Sequence, residues 1–156
     1  MNPWRPEPYA RVIVTGATTW TDAAMIESVL GALAHHSAVR GHGLTVLTGM
    51  ADGADAIARR WALCRGVGLH AEPLDPGEYP GPMHRYNEQL LQLEPDIVVA
   101  FKDPFDASWA SDTCIAGTEH MCRIAERARL PVYLNGWHRL VPPGLPGGSA
   151  ERPTAS

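Results

Sequence analysis

Three short segments carry residues whose types and spacing suit an anionic, hydroxyl-bearing ligand. In Thr15-Gly16-Ala17-Thr18-Thr19-Trp20-Thr21-Asp22 a glycine precedes a cluster of hydroxyls. Gly16 permits a tight turn. Thr18, Thr19 and Thr21 suit either phosphate oxygens or the start of a helix, with Thr21 as N-cap in the second case. In Thr48-Gly49-Met50-Ala51-Asp52-Gly53-Ala54-Asp55, Gly49 and Gly53 bracket a turn that enters a helix on small residues. Backbone can approach a ligand there, with N–H groups facing an anion and Asp52 beside them. Asp55 falls in the first helical turn, where a carboxylate either complements the helix dipole or accepts ribose hydroxyls. Gly117-Thr118 marks a third helix start, followed by Glu119 and His120 as the acid–base candidates.

Other residues supply charge and stacking. Arg85 is the candidate fixed cation for a phosphate, with Asn87 just beyond it. His84 could move a proton, although a lone loop histidine is more often solvated. Phe105 and Trp109, within a long connection from Lys102 to Ala116, could stack on a base, and Asp103, Asp106 and Asp112 accompany them. His35-His36 ends a predicted helix, where a cation favours the dipole and metal binding is the weaker reading. Neither G-x-G-x-x-G nor G-x-x-x-x-G-K-[ST] occurs, which argues against a standard dinucleotide fingerprint and excludes a P-loop.

These residues need a scaffold, and apolar runs outline one. Val12-Ile13-Val14, Leu44-Thr45-Val46-Leu47, Val67-Gly68-Leu69-His70-Ala71, Ile97-Val98-Val99-Ala100-Phe101 and Val132-Tyr133-Leu134 mostly lack polar alternation, as strands covered on both faces do. Helical stripes lie between them: Met25, Ile26, Val29, Leu30, Leu33; then Ala54, Ile57, Ala58, Trp61, Ala62; and later Met121, Ile124, Ala125, Ala128. Asn87 to Leu93 is a weaker helix between the third and fourth strands. Such alternation predicts a single α/β domain, Rossmann-like and doubly wound, with a mainly parallel five-stranded sheet over residues 11–141. Residues 1–10 are predicted to form an N-terminal extension and 142–156 a flexible Pro/Gly-rich tail. In such sheets ligands bind outside the carboxyl ends of the strands, where the three Gly/Thr segments fall.

Composition narrows the function. The 156 residues fit one domain, and the formal net charge of −4 argues against a protein that mainly grips nucleic acid. No apolar run approaches the ~18–20 residues of a membrane span. Met1-Asn2-Pro3-Trp4-Arg5-Pro6 lacks a secretory-type apolar stretch. Cys64, Cys114 and Cys122 fit neither a disulfide framework nor a zinc pattern. A soluble cytoplasmic protein with no metal and no required cofactor is predicted.

Arg11-Val12-Ile13-Val14-Thr15-Gly16 with Asp22, Thr48 to Asp55 running into Ala58 and Trp61, and Gly81-Pro82 with Arg85 and Asn87 form one set of motifs. Pro95 to Phe101 and Gly117-Thr118-Glu119-His120-Met121 with Arg123 and Ala125 complete it. Together, over about residues 10–135, they resemble the SLOG superfamily of Rossmann-like proteins, and within it the YspA-like, YpsA-related group. The resemblance implies a pocket for a nucleotide or nucleotide-derived ligand; relatives include cytokinin-activating phosphoribohydrolases, DprA-like single-strand DNA binders and sensor domains that bind NAD-derived signals. The phosphoribohydrolase motif resembles P-G-G-x-G-T-x-x-E, with a catalytic glutamate. Here Thr113-Cys114-Ile115-Ala116 precede Gly117, Met121 stands at the glutamate position, and Glu119 would face elsewhere on the helix.

The leading expectation is therefore a ligand-binding or sensor domain, with binding ahead of catalysis. Gly16, Thr18, Thr19, Gly49, Asp52, Gly53, Gly117 and Thr118 would approach phosphate, Asp55 would take a ribose or set the turn, and Arg85 with Asn87 would complete the site. A nucleoside-monophosphate N-glycosidase using Glu119, Asp55 and His120 is the second expectation. A DprA-like single-stranded nucleic-acid binder and a protein-interaction effector are the others, nucleic acid being disfavoured by the missing Lys/Arg stripe. Domains of this superfamily often pair through helices, which leaves a homodimer open by analogy.

Overall fold

A computed structural model describes residues 9–72, 82–103, 117–136 and 138–139, with side chains described except at Glu72, 82–85 and 138–139. Strands β1 (Arg11–Gly16), β2 (Thr45–Gly49), β3 (Gly68–Glu72), β4 (Ile97–Phe101) and β5 (Val132–Leu134) form a parallel sheet in the order β3-β2-β1-β4-β5. Helices α1 (Ala23–Val39) and α2 (Ala54–Arg65) cover one face, and α3 (Pro82–Leu91) and α4 (Gly117–Arg127) the other. The predicted α/β Rossmann-like architecture is present. A sixth strand, β6 (His138–Arg139), joins β5 antiparallel and extends the predicted five. It has two residues, both polar, just past Gly136 at φ +100°, so no apolar run announced it.

The strands lack polar alternation because both faces are covered. Val12, Val14, Val46, Ile97, Val99 and Phe101 pack against Ile26, Val29, Leu30 and Leu33 of α1 and Ala54, Ala58, Trp61 and Ala62 of α2. Ile13, Leu47, Val98, Ala100 and Val132 point the other way, onto Tyr86, Leu90, Met121, Cys122 and Ala125. Each large aliphatic side chain buried in this way contributes ~1.5–3 kcal/mol. Neither layer could be dropped without exposing half of every strand.

Three helix boundaries differ from the sequence reading. The N-cap of α1 is Asp22, not Thr21; its Oδ1 accepts from the Met25 N–H at 3.1 Å, adding a charge favoured by the helix dipole. Helix α1 continues past His35-His36 to Val39. Helix α3 begins at Pro82 rather than Asn87, because proline is preset for the first helical position, where its missing N–H costs nothing. The predicted turn residues Gly16, Thr48 and Gly49 are the last residues of β1 and β2. Tyr9 packs against the α1 side of the core, and its carbonyl accepts from the Ser37 hydroxyl. The predicted tail, and the connection carrying Phe105, Asp106, Trp109 and Asp112, lie outside the described residues.

Strands β1 and β4 are neighbours, with Gly16 paired to Phe101. The chain leaves β1 toward β2 on one side and β4 toward β5 on the other. This is the topological switch point, where the ends of adjacent strands diverge into a crevice.

Candidate functional site

A cleft of about 680 Å³ opens at that switch point. Gly16, Thr18, Thr19, Gly49, Asp55, Asn87, Gly117 and Thr118 line it, so eight of the predicted site residues come together. Asp52 is exposed, and neither it nor Gly53 is in the lining. The backbone of Arg85 lies in α3, but its side chain is outside the description. Glu119 and His120 are buried and absent from the lining.

Two glycines let the loops converge. A Cβ on Gly16 would strike the Phe101 carbonyl oxygen and come within 2.7 Å of the Ala54 Cβ. Gly53 has φ +72°, and a Cβ there would meet the Ala17 carbonyl oxygen and lie 2.6 Å from that of Thr18. Its role is to let the loop after β1 rest on the start of α2. The Ala54 N–H donates to the Ala17 carbonyl oxygen at 3.2 Å, and the Ala17 N–H to that of Phe101 at 2.9 Å. These two amides are spent within the fold.

The turn after β2 is arranged around Asp55. Its Oδ2 lies against Gly49. The anion expected at this turn is thus supplied by the protein itself. Burial raises the Asp55 pKa from 3.8 to about 6, with the polar groups of Thr48, Ala51 and Gly49 and the Arg59 charge acting in the opposite direction. Thr48 Oγ donates to the Val14 carbonyl oxygen at 3.1 Å. Gly49 is confined because a Cβ would lie 2.6 Å from the Tyr86 hydroxyl and 2.7 Å from Asp55 Oδ2.

The opposite wall carries Lys102, directly after β4. Its N–H donates to Asn135 Oδ1 at 2.9 Å, and its carbonyl oxygen accepts from Asn135 Nδ2 at 3.1 Å. Lys102 Nζ lies 2.9 and 3.1 Å from the two carboxylate oxygens of Glu119, the buried residue in the first turn of α4. Asn87 Nδ2 donates to the Gly117 carbonyl oxygen at 2.8 Å and lies 3.1 Å from His120 Nδ1, tying α3 to the start of α4. Met121, at the position of the phosphoribohydrolase glutamate, is fully buried in the core.

Sequence reasoning missed Lys102, Arg59 and Tyr86. Lys102 had a signal, as a cation at the carboxyl end of an apolar strand run. Arg59 had one too, four residues after Asp55 on the same helix; its guanidinium donates to the Gly49 and Ala51 carbonyl oxygens at 2.7 and 2.9 Å and holds the turn shut. Tyr86 became visible only once α3 was known to start at Pro82.

Among the described residues no group of three or more His, Cys, Asp or Glu could hold a metal ion, and no helix is long and apolar enough to cross a membrane. Residues 10–79 match the family model described as the YspA, cpYpsA-related SLOG family. The chain is similar to the Gene 61 protein of Mycobacterium phage D29, 32% identical over 130 residues that cover 78% of this chain and 93% of the phage protein. No solved structure gives a significant match.

Proposed function

The chain belongs to the YspA, cpYpsA-related SLOG family, and from that premise we propose that the switch-point cleft binds a nucleotide-derived small molecule as a sensor or binding domain. One observation carries the reading: a single cleft of about 680 Å³ brings together the hydroxyls of Thr18 and Thr19, the Gly117-Thr118 helix start and the Asp55 carboxylate. That volume falls within the ~300–1,000 Å³ usual for small-molecule sites. In this proposal the hydroxyls and the α4 N-terminus meet phosphate, while Asp55 accepts from ribose hydroxyls. Met50 and Leu90 offer apolar lining to a base.

A thermal-shift and calorimetric panel of adenosine, AMP, ADP, NAD and ADP-ribose tests it. Saturable stabilisation by at least one phosphorylated member, weaker with its 2′,3′-dideoxy analogue, is the expected result. No shift from any of them at millimolar concentration would exclude the reading.

A second reading, cleavage of an N-glycosidic bond, draws support from the Asp55 carboxyl, which titrates near 6 within the cleft. Against it stand Met121 in the core and Glu119 engaged by Lys102. Release of free base from nucleoside monophosphates, lost in Asp55→Asn, would establish it. Absence of turnover would leave binding alone.

A further inference from the structure

We infer that Lys102 is the cation that reads the anionic group of the bound molecule, and that Glu119 and Asn135 hold it in place for that contact. The inference deepens the reading of the same cleft and rests on it for the cleft being a ligand site. It does not depend on the nucleoside half of that ligand.

Part of the cleft is closed to an anion. At the turn after β2 the Asp55 carboxylate lies against Gly49 and lines the cleft, so an incoming phosphate would face a like charge there. The Ala17 and Ala54 amides are engaged within the fold. What remains is the far wall, with the Thr18-Thr19 loop beside it. Among the described side chains lining the cleft, Asp55 and Lys102 are the charged ones, so the site has a negative and a positive side.

Lys102 is well placed for the second role. The Ala17 N–H donates to Phe101, which positions Lys102 beside the loop that carries Thr18 and Thr19. Its backbone is gripped on both polar groups by one side chain, that of Asn135, whose left-handed φ of +48° asparagine tolerates better than most residues. Its ammonium spans a boundary: Glu119 is 4% exposed on one side, whereas Lys102 is 25% exposed and lines the cleft. An ammonium has three N–H donors, and the two Glu119 oxygens engage at most two of them, leaving one for a ligand oxygen. Glu119 fixes the direction of that donor and also cancels part of the lysine charge. Removing its charge while keeping an acceptor should therefore preserve or strengthen anion binding.

Calorimetry with inorganic pyrophosphate tests this on the native protein, Glu119→Gln, and the double variant Lys102→Met/Glu119→Gln. Both variants lack the ion pair, and in the single variant Lys102 keeps the introduced amide oxygen as an acceptor and its opening to the cleft, so their difference isolates the ammonium. Binding by the native protein, equal or tighter binding by Glu119→Gln, and a loss of at least about tenfold in the double variant are expected. Undiminished binding by the double variant, or no binding by both native protein and Glu119→Gln at millimolar pyrophosphate, overturns the inference. Should the double variant not fold, Lys102→Gln/Glu119→Gln, which can keep an amide–amide hydrogen bond, carries the same expectation. Lys102-dependent pyrophosphate binding with no response to any nucleotide would sink the nucleotide proposal and leave this one standing.

Discussion

Gly53 and the Ala17 carbonyl oxygen meet so closely that no side chain fits between them, and this contact joins the loop after β1 to the start of α2. Gly53→Ala should be strongly destabilising, because φ +72° disfavours any Cβ and the obstructing atoms are backbone. A loss of about 2 kcal/mol or more in urea unfolding is expected. Gly31→Ala is the control: it lies inside α1 with open space around it, and should gain about 0.5–1 kcal/mol. Equal effects at the two positions would contradict the account.

Arg59 closes the turn after β2 through two carbonyl contacts, at 2.7 and 2.9 Å. Arg59→Met should cost roughly 1–3 kcal/mol, the range for hydrogen bonds from a charged donor. It should also move the Asp55 pKa above about 6, since the Arg59 charge helps hold it down. Carboxyl-carbon NMR titration reads this directly. A lower pKa in the variant would show that Arg59 does not act on Asp55 as described.

Asp55 makes stability depend on pH. Its folded pKa of about 6 exceeds the ordinary 3.8, so the folded state binds the proton more tightly than the unfolded chain does. The resulting stabilisation is complete below 3.8 and fades as the pH rises through about 6. Relative to Asp55→Asn, the native protein should lose on the order of 3 kcal/mol of stability across that window, given ~1.4 kcal/mol per pKa unit. Parallel stability curves for the two proteins would rule out the burial of Asp55.

Met121→Glu would restore the phosphoribohydrolase glutamate in sequence, but Met121 is wholly buried between α4 and the sheet. The substitution should unfold the protein or cost roughly 3–5 kcal/mol, as an unpaired buried charge does. It should create no hydrolase. A folded, base-releasing variant would mean that the start of α4 is placed differently.

The apolar strand runs were legible because both faces of the sheet are covered, which removes alternation. Ile97–Phe101 and Val132–Leu134 match the predicted spans. Helices α1 and α2 were legible from Ile26, Val29, Leu30 and Leu33 and from Ala54, Ala58, Trp61 and Ala62. The convergence of Gly16, Gly49 and Gly117 on one cleft followed from strand polarity alone. The seating of the Asp55 carboxylate against Gly49 was not legible, because it depends on how the turn after β2 closes. The Lys102–Glu119 contact spans a sequence separation of 17 residues and joins two elements, so spacing could not reveal it.

In the proposed function a nucleotide-derived molecule binds in this cleft. Backbone-amide NMR during titration with ADP tests it most directly, because each loop is read separately. Saturable shifts concentrated at Thr18, Thr19, Met50, Gly117 and Thr118, with little change at Tyr9, His36 and Tyr133 around the smaller groove beside α1, are predicted. Shifts confined to that second groove, or none that saturate, would contradict it.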